Sequence, residues 1–240
     1  AQEKGLDVIT VFFSMIKDWS VAEIETYLRA QALEGIIIYG MRREDTVLHT
    51  LIDVQQFKIV AVDAPFVNQS TSSVAIDHEK AQYDVARKTL HENQGNRILY
   101  IAGKKNGFVT TQRLEGMKRL AAQEGLSLFV RQGDFSEKKA RQLTFQYARN
   151  RDIIVCASDL MAIGAMRALQ EMDIFRPVCG FDGITLMGYA GKQMNTVKQD
   201  FYRVSSEAME EMGRLLEGGE GRAVVLDFSI VRMQYLDIIC

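Results

Sequence analysis

DIIVCASDLMAIGAMRALQEMDIFRPVCGFDGI, residues 152–184, reads as one strand–helix–strand unit. Residues 152–157 open on a charge and continue as an unbroken apolar run, the pattern of a strand buried on both faces. Residues 159–172 carry apolar side chains at helical spacing, and 178–181 return as a second short apolar run. A helix between two such strands implies a right-handed crossover joining parallel neighbours. Ser158 and Asp159 follow the first strand and Asp182 follows the second. In open parallel sheets, ligands bind at such carboxyl ends.

The same alternation extends outward in both directions. Strands are predicted at 7–13, 35–39, 58–63, 73–76, 97–102, 127–130 and 196–198. Helices are predicted at 44–54, 78–92, 108–124, 136–149 and 202–217, with a further one starting at Ser20. Ser20-Val21-Ala22-Glu23 is a capping-box sequence, and Ile24 and Leu28 follow at helical spacing. Gly125 and Gly218-Gly219 stand where a glycine ends a helix. The fold class is α/β, with parallel sheets covered by helices. Residues 223–239 break the rhythm: VVLDFS and IVRMQYL read as two strands with no helix between them. A chain end of that kind finishes sheets built earlier, so two interwoven domains are expected.

Composition narrows the function. The 240 residues carry 29 basic and 31 acidic side chains, a net charge of −2, with 47% hydrophobic and 25% charged residues. These are globular values, and the charge balance argues against bulk attraction to nucleic acid or an anionic membrane. No apolar run approaches the roughly 18–20 residues that span a bilayer. The first residues, AQEKGLD, lack the basic start and apolar core of a signal peptide. Cys156, Cys179 and Cys240 fit neither metal nor disulfide spacing and read as free thiols of a reducing compartment. His49, His78 and His91 sit near no nucleophile and read as solvated surface. G-x-S-x-G, a phosphate loop, H-E-x-x-H and G-x-G-x-x-G are all absent. No catalytic residue, metal or cofactor is therefore expected.

Polar groups at strand ends remain. Tyr39 follows GIII, Asp63 follows KIVAV, and Arg113 lies early in the helix after ILYIAG. Carboxylates that accept from hydroxyls and a guanidinium that donates in a fork suit a polyhydroxyl ligand. Each residue also has a plainer reading. Asp159 would cap LMAIGAMRAL, Asp63 and Asp182 would form strand-end turns, Arg113 would be a surface arginine, and Phe135 would be core.

At these residues the chain resembles the LacI/GalR family of bacterial sugar-responsive regulators. ASDLMAIGAMRALQEM (157–172), VCGFDGI (178–184) and MNTVKQDF (194–201) match in order and spacing. EGIIIYG (34–40), KIVAVD (58–63), SSVAIDHEKAQYDVARKTL (72–90), RILYIAG (97–103), TTQRLEGMKRLAAQEGL (110–126) and GDFS (133–136) agree. The resemblance implies a type I periplasmic-binding-protein-like fold of two Rossmann-like parallel-sheet subdomains joined by three crossovers. These fall near 76–77, 198–201 and 229–231. The implied N-terminal subdomain is 1–76 plus 201–229, and the C-terminal one 77–200 plus 230–240.

Residue by residue, Arg113 matches the arginine that grips effector hydroxyls, Asp182 the aspartate ending the FD strand, and Asp63 a cleft aspartate. Phe135 stands where the family often has an aromatic, Ser158 where a member has asparagine, and Gln199 and Phe201 lie at a crossover. Val109 replaces a residue that is often polar. Asp159, Met161, Gly164 and Ala165 match a structural signature, which favours the capping reading of Asp159. FDG replaces the commoner FDD, and most of the family's loop prolines are missing. The implied protein is a non-enzymatic cytoplasmic regulator without membrane contact. It would bind a sugar or sugar phosphate effector, form a homodimer, and bind operator DNA through an N-terminal helix-turn-helix. That headpiece, a hinge helix and the first strand are expected outside these 240 residues. An extracytoplasmic sugar-binding protein for transport and an enzyme on a doubly wound sheet are the alternatives.

Overall fold

The computed structural model describes residues 7–184 and 193–233. The chain divides into two compact units, Ala1–Ala75 with Phe201–Leu226 and Ile76–Asp200 with Asp227–Cys240. It passes between them at 75–76, 200–201 and 226–227. The third passage precedes the expected 229–231.

The smaller unit contains α1 (Phe13–Ile16), α2 (Val21–Ala30), β1 (Gly35–Tyr39), α3 (Thr46–Asp53), β2 (Lys58–Val62), β3 (Thr71–Ile76), α8 (Phe201–Leu216) and β9 (Ala223–Leu226). Its sheet runs β1-β2-β3-β9, with β2 parallel to both β1 and β3. The capping box forms at α2: Ser20 Oγ accepts from Glu23 N, and Glu23 Oε2 accepts from Ser20 N at 2.8 Å. Helix α8 packs on β1 and β2 and buries Val204, Ala208, Met212 and Leu215. Glu211, on the same helix, is buried within an ion network. It accepts from Ser72 at 3.0 Å, from Arg214 at 2.7 Å and from Arg222 at 2.5 Å.

The expected strand at 7–13 does not form. Residues 7–12 have no regular structure, and α1 begins at Phe13. Val8 and Phe12 stand 64% and 69% exposed. A strand exists through its ladder, and this run pairs with no described strand, which leaves its exposed backbone to water. Conversely, β3 begins at Thr71 and β8 at Met194, each two residues before the expected start. Polar residues hid these starts: Ser72 Oγ donates to Glu211, and Asn195 Nδ2 to Thr89 and Glu92.

The larger unit contains α4 (His78–Asn93), β4 (Arg97–Ala102), α5 (Phe108–Glu124), β5 (Ser127–Gln132), α6 (Glu137–Tyr147), β6 (Ile153–Cys156), α7 (Asp159–Glu171), β7 (Val178–Asp182), β8 (Met194–Lys198) and β10 (Ser229–Met233). Its sheet runs β10-β8-β7-β6-β4-β5, parallel throughout except for β10 against β8. The chain end thus supplies one strand to each unit. The remainder of IVRMQYL and Cys240 lie outside the described residues.

Strand residues alternate between two helix-covered faces. Tyr100, Val155, Cys179 and Asn195 are register neighbours on the face under α4. Cys156, Gly180 and Thr196 face α7, where Asp159 reaches Thr196. Two glycines let helices pack in pairs. A Cβ on Gly116 would fall 2.3 Å from the Glu79 carbonyl oxygen, and one on Gly164 2.2 Å from that of Glu137. Cys156 and Cys179 are free and buried.

Candidate functional site

The carboxyl ends of β4, β6 and β7 carry a connected polar group. Gly107 opens α5, and Arg113 lies one and a half turns in, facing the sheet and only 4% exposed. It is not the surface arginine of the plainer reading. Its Nη1 donates to the Ala157 carbonyl at the end of β6. Its Nε and Nη2 lie 3.4 and 3.3 Å from His78 Nδ1. The guanidinium sits 3.6 Å from the Phe181 ring centroid, a cation–π contact. Nη2 is 3.7 Å from Asp182 Oδ1.

Asp182 ends β7 with φ +118°, a region that favours glycine. Holding a side chain there costs about 1–3 kcal/mol, which the surroundings must offset. Gln199 does so twice: its Nε2 donates to Asp182 Oδ1 at 3.0 Å, and its backbone N–H to the Asp182 carbonyl at 3.3 Å. Arg113, Asp182 and Gln199 therefore form one connected group. The guanidinium has five N–H donors, and the three acceptors among the described residues do not exhaust them.

Ser158 follows Ala157 and caps α7, its Oγ accepting from Met161 N at 3.4 Å. This corrects the capping reading of Asp159, which is the first helical residue and not the cap. Asp159 is wholly buried and accepts from Thr196 Oγ1 at 2.6 Å and from Ile184 N at 2.9 Å. A Cβ on Gly180 would lie 2.3 Å from its Oδ1, so only glycine leaves room for the carboxylate. Burial pushes this carboxyl up to about 7, against the hydrogen bonds from Thr196 and Ile184.

Phe135 is half-buried at φ +60°, after Asp134 at +56°. Its ring covers Gly103, whose Cβ would fall 2.1 Å from Phe135 Cζ. Asp63 belongs to the smaller unit. It ends β2 at φ +60° and donates its N–H to the Val74 carbonyl at 3.0 Å. Tyr39, at the end of β1, is exposed.

His78 was missed. The expectation of a solvated surface holds for His91, which is exposed beside Glu124. It fails for His78, which is 1% exposed, and for His49, half-buried against Phe66 and the Arg42 carbonyl. The signal was present, because His78 shares a helical face with Ala81, Gln82, Val85, Ala86 and Thr89, all buried. A pocket of about 80 Å³ opens at the opposite, amino ends of β7 and β8, among Thr89, Met194, Asn195 and Arg232, and no candidate residue lines it. Among the described residues no cluster of three His, Cys, Asp or Glu could hold a metal, and no helix is long and apolar enough to cross a membrane.

The family model described as periplasmic binding proteins and sugar binding domain of LacI family matches residues 1–215. The HTH-type transcriptional regulator AscG of Escherichia coli (strain K12) is 25% identical over 205 residues, covering 81% of this chain and 60% of that protein. The chain thus spans about 60% of that curated relative's length. A complex of the transcriptional regulator CelR with cellobiose superposes with a TM-score of 0.78 at 24% identity, over 89% of this chain and 69% of that one. The lac repressor dimer bound to operator and the anti-inducer ONPF gives 0.75 at 23% identity, over 90% and 79%. At these identities the two structures bear on the fold.

Proposed function

The chain belongs to the family of periplasmic binding proteins and the sugar binding domain of LacI-type regulators, and from that premise we propose that it is the effector-binding and dimerisation core of a DNA-binding transcriptional regulator. Its effector is a sugar or sugar phosphate. The observation that carries this reading is the Arg113–Asp182–Gln199 group, where a buried guanidinium with donors to spare stands beside an acceptor carboxylate. Such a pair matches neighbouring hydroxyls of a sugar. Ser158 can donate its hydroxyl hydrogen and Phe135 offers a ring face; Asp63, in the smaller unit, is proposed as a further effector-binding residue. The two units act as the N- and C-terminal effector subdomains.

No step is catalysed. The effector acts by binding two conformational states of the regulator with different affinities, and so changes operator affinity. The homodimer, the cytoplasmic setting and operator binding through a helix-turn-helix outside this chain belong to the same proposal. That the curated relative AscG is a transcriptional regulator supports it over a role in transport.

Thermal unfolding against a panel of mono- and disaccharides and their phosphates tests the reading. A ligand at about 100 times its Kd stabilises by about 2.7 kcal/mol, a shift of several degrees for a chain of this size. A selective shift is expected. A cooperative transition that no member of the panel moves would overturn the sugar reading.

A further inference from the structure

His78 is a buried titratable side chain that the effector reading leaves without a task. It opens α4, and its ring lies 5.7 Å from that of Phe181 at 29°. Its Nδ1 faces two N–H groups of Arg113, at 3.4 and 3.3 Å. A guanidinium only donates, so Nδ1 must carry the lone pair, and the hydrogen of the neutral ring belongs on Nε2. The Ala157 carbonyl and the Phe181 ring fix the same guanidinium. Protonation would place an N–H against those N–H groups and a second cation beside the first.

Among the described residues, charged groups on the elements packed around His78 include Arg113 on α5, Asp182 at the end of β7 and Lys198 at the end of β8. Asp77 and Glu79 flank it in sequence. Tyr100 and Cys179 lie on the sheet face under α4. Burial pushes Tyr100 well above its ordinary value and Cys179 up to about 12, so both stay neutral. Among the described residues, Asp182 is the one carboxylate within 4 Å of the guanidinium, and it already accepts from Gln199.

Resting on the effector reading, we propose that His78 is the positioning residue of the site: as a neutral imidazole it accepts from Arg113 and aims the guanidinium at the effector, so that effector affinity depends on His78 staying unprotonated. The effector response of this regulator is therefore proton-sensitive, through a residue that need not touch the sugar.

Two measurements test this. Nitrogen-15 spectra of the histidine-labelled chain without sugar should show His78 as the Nε2–H tautomer; an Nδ1–H tautomer overturns the inference whatever the ligand. Calorimetric titration with each panel sugar that moves the unfolding midpoint, from pH 8 to 5, reads the function. Burial and the neighbouring guanidinium both disfavour the imidazolium, so wild-type affinity should hold on the alkaline side and fall, by up to about tenfold per pH unit, only where the imidazole protonates. His78→Gln, whose Oε1 can accept from Arg113 and cannot protonate, should bind with a flat profile, and His78→Ala should bind more weakly throughout. Wild-type affinity in His78→Ala, or an acid-side slope that persists in His78→Gln, overturns the inference and leaves the effector reading standing. Absence of binding by every panel sugar at pH 8 overturns the effector reading itself.

Discussion

In the smaller unit the buried carboxylate of Glu211 meets two guanidiniums and a hydroxyl. In the larger unit the buried guanidinium of Arg113 meets one carboxylate, at 3.7 Å, with a carbonyl, an imidazole and a ring. The first arrangement saturates its central charge and ties Ser72, Arg214 and Arg222 together from β3, α8 and the start of β9. Among the described residues, the second leaves donors unspent at the end of a parallel sheet. A buried charge that is fully paired within its own unit is architecture; one held in place but under-paired is available to a ligand.

Glu211→Ala should break this contrast most severely. It leaves two guanidiniums without their carboxylate and costs about 2–4 kcal/mol, somewhat below a fully buried pair because Arg222 is partly solvated. Chemical unfolding should show the loss in the smaller unit, with local protease sensitivity at α8. Gly164→Ala tests the larger unit's packing. The added methyl meets the Glu137 carbonyl and should cost about 1–3 kcal/mol as α6 and α7 separate.

The two units should also respond oppositely to pH. Burial alone would raise the Glu211 carboxyl, but bonds from Arg214, Arg222 and Ser72 outweigh it and hold it at about 2. Its contribution is present above the ordinary 4.5 and is lost as pH falls toward 2. The Asp159 carboxyl is raised from 3.8 to about 7, so the protonated form favours folding and that contribution is lost as pH rises through 7. Relative to wild type, Asp159→Asn should therefore gain stability as pH rises from about 4 to 7, and no more above that, as read from unfolding midpoints. The smallest effect belongs to Ser20→Ala, which removes the α2 capping box and should lower stability by about 0.5–1 kcal/mol.

Most of the larger unit was legible in the sequence, since its strands are apolar runs bounded by turns: 97–102 and 108–124 match their elements residue for residue. Strand 7–13 misled for the same reason, because pattern describes a segment and not its partner. At the site, Arg113 and Asp182 could be read from strand-end position. Their mutual geometry could not, because it depends on Phe181 and His78, placed by the register of β7 and the first turn of α4. The exchange of roles between Ser158 and Asp159 escaped for a local reason. Either could cap a helix, and the free space beside Gly180 decides which turns inward.

Calorimetric titration of the panel sugar that most stabilises the wild-type chain into Arg113→Ala and Asp182→Ala tests the central claim most directly. With secondary structure retained, each variant should lose at least about a hundredfold in affinity, since charge-assisted hydrogen bonds are worth about 1.5–3 kcal/mol apiece. Wild-type affinity in both variants would contradict the assignment of the effector site to this group.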